Sequence, residues 1–224
     1  MLSIILPAYR ERENLAALVP EIEKAVAGQK YEIIVVDDYS GDGTRELVGS
    51  MSRRNRAIRL LARERKLGLA SAIADGVRSS GGERILVMDG DRSHPAGKVT
   101  ELSACLGECD LAIASRNIEG GGVRRWPLDR KLISFGATLL SRLVVGSRVS
   151  DPMSGFFAAR RSVFLNTRLR VKGYKVLLNV LADNPGIRIK EVPYFFSDRA
   201  AGSTKLGGGE VLRYLADLFA LRFA

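Results

Sequence analysis

Short apolar runs rich in branched residues alternate along this chain with segments of helical spacing, and that alternation leaves few folds open to it. Leu2 to Leu6, Tyr31 to Val36, Ile58 to Leu61, Arg84 to Met88 and Asp110 to Ala114 are strand-length runs. Continuous Val/Ile/Leu character belongs to strands covered on both faces. Between them, the stretch from about Asn14 puts Leu15, Leu18, Ile22 and Ala25 on one helical face, and Thr44 to Arg53 and Leu69 to Arg78 read as further helices. Pro20 is expected to kink or restart the first of these. Strand followed by helix, repeated, predicts the α/β class: a mainly parallel central sheet flanked by helices.

In such sheets ligands sit just beyond the carboxyl ends of the strands. The run from Arg84 ends in Asp89-Gly90-Asp91, two acids at i and i+2 that point to one side if strand geometry persists and so suit one hard cation. Asp, Gly, Ser and Pro also end strands and cap helices, so this pair alone reads more readily as a solvated turn than as a site. Two other strands end the same way, the first in Tyr9 and Glu11 and the second in Asp37 and Asp38. Three polar strand ends converging on one crevice favour a site.

The chain has 224 residues, 46% of them apolar, enough for one domain with a substantial core. We divide it into a catalytic domain over 1–209 and an amphipathic C-terminal helix over 210–224. Its net charge of +10 calls for an anionic partner. No nucleic-acid module interleaves aromatics with the basic clusters, so nucleic acid is not expected. No Gly-x-Gly-x-x-Gly follows the first strand and no P-loop occurs, which favours a sugar nucleotide held by metal and basic side chains. Cys105 and Cys109, one helical turn apart, read as buried free thiols of a reducing compartment. No run approaches 18 apolar residues and no basic leader opens the chain, so neither a spanning segment nor a signal peptide is expected.

Beyond the acid pair, Ser115-Arg116-Asn117 opens onto Glu119-Gly120-Gly121-Gly122-Val123, read as a flexible stretch. A helix from Pro127 to about Val145 carries Arg130 and Ser134 one turn apart on a polar stripe and a strongly apolar side that packs on the sheet or meets lipid. Asp151-Pro152-Met153-Ser154-Gly155 reads as a turn into a short strand, with a helix starting at Arg160-Arg161. Tyr174 to Leu181 reads as helix and Ile187 to Phe196 as one strand. The following loop, with Arg199 and Lys205, is suited to phosphate. An amphipathic helix from Glu210 to Phe223 packs on the core or lies on a membrane surface.

Together, Pro7-Ala8-Tyr9-Arg10-Glu11, Val35-Val36-Asp37-Asp38 with the turn to Thr44, Asp89-Gly90-Asp91, Ser115-Arg116-Asn117, Glu119-Gly120-Gly121, Asp151-Pro152-Met153-Ser154-Gly155-Phe156 and Arg199 through Lys205 resemble the polyprenol-phosphate (dolichol-phosphate) mannose synthases. These are glycosyltransferases of family two with the GT-A fold, and the likeness runs from Leu2 to about Leu206. It implies that Pro7, Tyr9, Glu11, Val36 and Asp38 cradle the nucleoside of GDP-mannose. It further implies that Asp89 and Asp91, with Ser93 beside them, hold Mg2+ or Mn2+ and the donor. Arg116, Arg130, Ser134, Arg199 and Lys205 would line the place where lipid phosphate and donor phosphates meet.

The implied enzyme transfers mannose with inversion to a polyprenyl or dolichyl phosphate, peripherally on the cytoplasmic face of a membrane, where a membrane-protein anchor subunit is a further expected partner. Three positions depart from the family pattern: Ser93 where Gln is usual, Asn179 where an acid is usual, and Ser203-Thr204-Lys205 where Glu-Ser-Lys is usual. Two readings compete with mannose transfer: a UDP-sugar transferase to the same lipid class, and a non-catalytic sugar-nucleotide or anionic-lipid binding module.

Overall fold

A computed structural model describes residues 1–124, 127–146, 148–168 and 176–197, with the backbone alone over 128–132. The first half alternates as expected: β1 (Leu2–Ala8), α1 (Arg12–Ala25), β2 (Tyr31–Asp37), α2 (Thr44–Arg54), β3 (Ile58–Ala62), α3 (Leu69–Ser79) and β4 (Arg84–Val87). There follow α4 (Lys98–Cys105), β5 (Leu111–Ser115), β6 (Gly122–Val123), α5 (Leu128–Val145), β7 (Phe157–Arg160), α6 (Arg161–Leu165), α7 (Val176–Asp183), β8 (Ile189–Pro193) and β9 (Phe195–Phe196).

The strands form a seven-stranded sheet in the order β3-β2-β1-β4-β7-β5-β8. Every pairing is parallel except those of β7, which lies antiparallel between β4 and β5. The chain winds outward from β1 through β2 to β3 and then returns to place β4 on the other side of β1. That reversal puts the carboxyl ends of β1 and β4 at the switch point where an open α/β sheet usually takes its ligand.

Alternate strand residues feed two cores, which explains the unbroken apolar runs. Ile4, Leu6, Ile33, Val35 and Leu86 pack with Leu15, Leu18 and Ile22 of α1 and with Val99 and Leu102 of α4. On the other face Ile5, Ile34, Val36, Ile85 and Val87 meet Ile73 of α3, Phe164 of α6 and Leu177 of α7. The approach of α3 is close enough that a Cβ on Gly76 would lie 2.5 Å from Ile5 Cγ2.

Several expectations are corrected. Helix α1 runs through Pro20 without a restart, with Pro20 on the exposed side while Leu15, Leu18, Val19 and Ile22 fasten the helix to the sheet. The strand expected over Ile187 to Phe196 breaks at Tyr194: β8 extends the main sheet beside β5, whereas β9 pairs with β6 in a separate two-stranded sheet. The stretch read as flexible therefore ends in paired backbone at Gly122–Val123. Cys109 is buried, but Cys105 is only half-buried, and both are free thiols.

The apolar side of α5 does not pack on the sheet as the first alternative had it. Among its described side chains Thr138 and Ser141 are the buried ones, while Ile133, Phe135, Leu139, Leu140 and Leu143 are exposed, Phe135 by 70% and Leu143 by 73%. Among the described residues no helix is long and apolar enough to cross a membrane. Trp126, Tyr174, the loop with Arg199 and Lys205, and the helix expected over 210–223 lie outside the described residues, as does the side chain of Arg130.

Candidate active site

Three loops leave the carboxyl ends of β1, β2 and β4, and each bends through a residue with positive φ: Arg10 at 60°, Tyr39 at 68° and Arg92 at 62°. These are the non-glycine residues in that region among those described. A side chain there is held against a steric preference, and such positions gather at functional sites. The surrounding bonds supply the restraint. Arg10 N donates to Ser40 Oγ at 2.8 Å, and Asp38 N to the Ala8 carbonyl at 2.8 Å. Asp42 accepts from Arg12 N and from the Thr44 backbone and hydroxyl. Partial burial alone would raise the Asp42 carboxyl, but the Thr44 and Arg12 donors hold it below the usual carboxylate range.

The residues expected around a nucleoside divide into two groups. Tyr9 is half-buried, with Lys66 Nζ 3.5 Å from its ring centroid, and Glu11 accepts from Asn14 Nδ2 at 2.6 Å just before α1. The Pro7 carbonyl would lie 3.3 Å from a Cβ on Gly90, which brings the end of β1 against the acid pair. Asp38 and Val36 also serve the framework. Asp38 is buried and accepts from Leu67 N at 2.9 Å, Gly68 N at 2.8 Å and Arg63 Nη1 at 3.0 Å, tying down the loop that presents Lys66. Val36 is wholly buried, its Cγ2 3.1 Å from a Cβ on Gly76, so its side chain faces α3. Lys66 belongs to the basic cluster after β3, and its position over Tyr9 is not readable from the sequence.

At the end of β4, Asp91 is buried, and its Oδ1 accepts from Ser93 N at 3.0 Å and Ser93 Oγ at 2.5 Å. Ser93 thus sets the conformation of Asp91. The Asp89 side chain is 34% exposed, and its Oδ2 lies 3.3 Å from His94 Nε2. The Met153-Ser154-Gly155 turn abuts the same oxygen: a Cβ on Gly155 would stand 3.0 Å from Asp89 Oδ2, a tight contact that would press on this carboxylate.

Arg116, just past β5, is gripped by Asp151 through Nε–Oδ2 and Nη2–Oδ1 bonds, both 2.7 Å, and its backbone N donates to Asp151 Oδ2 at 3.0 Å. The aspartate side chain is fully buried and the arginine side chain is mostly covered, at 11% exposed. Glu191 holds the turn from below by accepting from Ser150 N at 2.8 Å and Asp151 N at 3.2 Å. Burial would lower the guanidinium pKa, but the Asp151 carboxylate raises it well above its ordinary value, aided by Tyr194 and Asp89. Burial likewise raises the Tyr194 hydroxyl, with Arg116 opposing and Asp151 and Asp89 adding to the rise. Asp89, Arg116, Asp151 and Tyr194 therefore share one electrostatic environment. Phe196 covers it, with the Arg116 guanidinium 5.7 Å from its ring centroid.

Ser134 sits half-buried on α5. Asp89 and Asp91 are two hard oxygen donors at one strand end, a donor set that fits a divalent cation such as Mg2+ or Mn2+. Among the described residues no group of three His, Cys, Asp or Glu side chains is arranged to hold a metal.

The chain matches the family model described as Glycosyl transferase family 2 over residues 3–167. It is 38% identical over 222 residues to the dolichol-phosphate mannosyltransferase of Pyrococcus furiosus, a match covering 98% of this chain and 63% of that protein. The chain thus spans less than two thirds of that relative's length. The dolichol-phosphate mannosyltransferase of Mycosarcoma maydis is 36% identical, with 98% of this chain and 78% of that one covered. Among solved structures, glucosyl-3-phosphoglycerate synthase from Mycobacterium tuberculosis in complex with Mn2+, UDP and glucosyl-3-phosphoglycerate superposes with a TM-score of 0.73. That match covers 99% of this chain and 80% of that one at 21% identity, a likeness of fold.

Proposed function

The chain belongs to glycosyl transferase family 2, and from that membership we propose that it transfers mannose from GDP-mannose to a polyprenyl or dolichyl phosphate, with inversion at the anomeric carbon. One observation carries the reading: the acid pair Asp89 and Asp91 stands at the sheet's reversal point beside a mostly covered, pre-oriented Arg116, in a chain 38% identical to a dolichol-phosphate mannosyltransferase.

Each part has chemistry suited to its residues. Tyr9 and Glu11 border the nucleoside, and Lys66, held over Tyr9, supplies positive charge toward a diphosphate. Asp89 and Asp91 would hold the divalent cation, whose contribution when bound is to neutralise charge on the departing nucleoside diphosphate. The acceptor is a phosphate monoester with a second pKa near ~6, already an anionic nucleophile at neutral pH, so no strong general base is needed. It needs a cation in a fixed plane to hold it near the anomeric carbon, and Asp151 fixes Arg116 in that way. Arg130, Ser134, Arg199 and Lys205 are proposed to complete the cradle.

The exposed apolar face of α5 supports a membrane-surface location, because five large apolar side chains on one helix exceed the scattered exposure usual for a soluble surface. We place it on the cytoplasmic face, where the sugar nucleotide and the lipid phosphate headgroup meet. The double variant Leu139→Glu/Leu143→Glu is expected to weaken sedimentation with phosphatidylcholine/phosphatidylglycerol vesicles by about 100-fold, from roughly 1.5 kcal/mol or more per leucine withdrawn from lipid. Vesicle binding within about threefold of the native protein would reject α5 as the contact.

The proposed activity is tested by incubating the full chain with labelled GDP-mannose, Mn2+ and a short polyprenyl phosphate. Label is expected in the lipid phase, and chelating the cation is expected to abolish it.

A further inference from the structure

The chain contains one histidine, His94, and it is 3% exposed. Its ring stacks on Phe156 at 5.0 Å between centroids and is enclosed by Tyr194 at 5.6 Å and Phe196 at 5.8 Å. From this cage Nε2 reaches Asp89 Oδ2 at 3.3 Å, whereas Nδ1 is buried and has no hydrogen-bond partner among the described residues. Burying an unsatisfied ring nitrogen among aromatics is unfavourable, and a phenylalanine would fill the same cage without that penalty. The imidazole gains a polar contact only through Nε2, and that contact is to Asp89.

We infer that His94 is a positioning residue for the Asp89 carboxylate, an inference that rests on the cation-assisted transfer proposed for this site. The aromatic cage fixes the ring, the ring donates to Oδ2, and Gly155 lies close on the same carboxylate, where an added Cβ would come within 3.0 Å of Oδ2. The Asp89 side chain, 34% exposed, is thereby restrained from the protein side at Oδ2. Groups behind a metal-binding carboxylate act in this way, by orienting the ligand rather than touching the cation. The cage also joins distant parts of the chain: Phe156 enters β7, Tyr194 separates β8 from β9, and Phe196 lies on β9 and over Arg116. Asp89 is therefore aligned with the Arg116–Asp151 pair through shared packing.

The test is the affinity for Mn2+ in the presence of GDP, measured on the full chain by the electron paramagnetic resonance signal of free Mn2+, with thermal melts alongside. His94→Phe keeps an aromatic ring and removes the donor. It is expected to weaken Mn2+ by about 10- to 100-fold with the melting temperature little changed, and His94→Gln, which keeps a donor, to recover most of the loss. Gly155→Ala approaches the same oxygen, leaves His94 in place, and is expected to weaken Mn2+ comparably; it decides the matter should His94→Phe fail to fold. Mn2+ affinity within about twofold of native in whichever of these variants folds overturns the inference. Failure of the native protein to bind Mn2+ with GDP would overturn the cation-assisted reading itself, and this inference with it.

Discussion

Asp91→Ala is expected to lower lipid-phase mannose transfer by about 1,000-fold, the upper end of what removing one preorganised electrostatic group costs an enzyme. Asp91 is 4% exposed at the end of the strand that borders the sheet's reversal, and its Oδ1 is held by two bonds from Ser93. Substitution therefore removes both a negative charge from the proposed cation site and the acceptor that shapes the turn. Asp91→Asn separates the two effects, since an amide oxygen still accepts from Ser93 but carries no charge. Transfer by Asp91→Asn is expected to fall nearly as far as with alanine, and its melting temperature to change less. Activity within about tenfold of native for both variants would remove Asp91 from the chemistry.

Asp151→Leu is expected to destabilise the protein by about 3–5 kcal/mol, because it strands the Arg116 guanidinium without its buried partner. For a chain of this size that corresponds to a fall of roughly 6–20 °C in melting temperature. The double variant Asp151→Leu/Arg116→Met replaces the pair with apolar groups and is expected to recover most of that stability, since the penalty comes from the uncompensated charge. Transfer activity is not expected to return with it, because the cation proposed to hold the acceptor phosphate is gone. A double variant that is both stable and active would show the pair to be scaffold only. A fall below about 3 °C in the single variant would mean that the arginine finds another partner.

The first half of the fold was legible because its signals are local. Apolar strands ending in Tyr9, Asp38 and Asp89 sit at the crevice as expected, since strand length, burial on both faces and polar termini all lie within short windows. Long-range pairings were not legible. Nothing in Phe157 to Arg160 indicates that this strand inserts antiparallel between β4 and β5, and Ile187 to Phe196 has strand character throughout although Tyr194 divides it between two sheets.

The site shows the same boundary. Asp89 and Asp91 announce themselves by spacing, but the partner of Arg116 is 35 residues away, and Asp151 was noticed only as part of a motif without a role. The framework bonds of Asp38 to Leu67 N and Gly68 N were not legible, because an acid at a strand end satisfies loop backbone as readily as a ligand and its partners lie about 30 residues away. His94 carried one available signal, being the single histidine and lying five residues beyond Asp89, but its aromatic cage draws on residues 156 to 196.

The central claim is that this crevice moves mannose from a guanosine donor to a lipid phosphate. Its most direct test is competition in one vessel: GDP-mannose and UDP-glucose carrying different labels, Mn2+, a short polyprenyl phosphate and the full chain, with each label counted in the organic phase. The mannose label is expected to enter the lipid phase and the glucose label to stay in water. Lipid-phase label from UDP-glucose alone, or from neither donor while both still bind, would contradict the account.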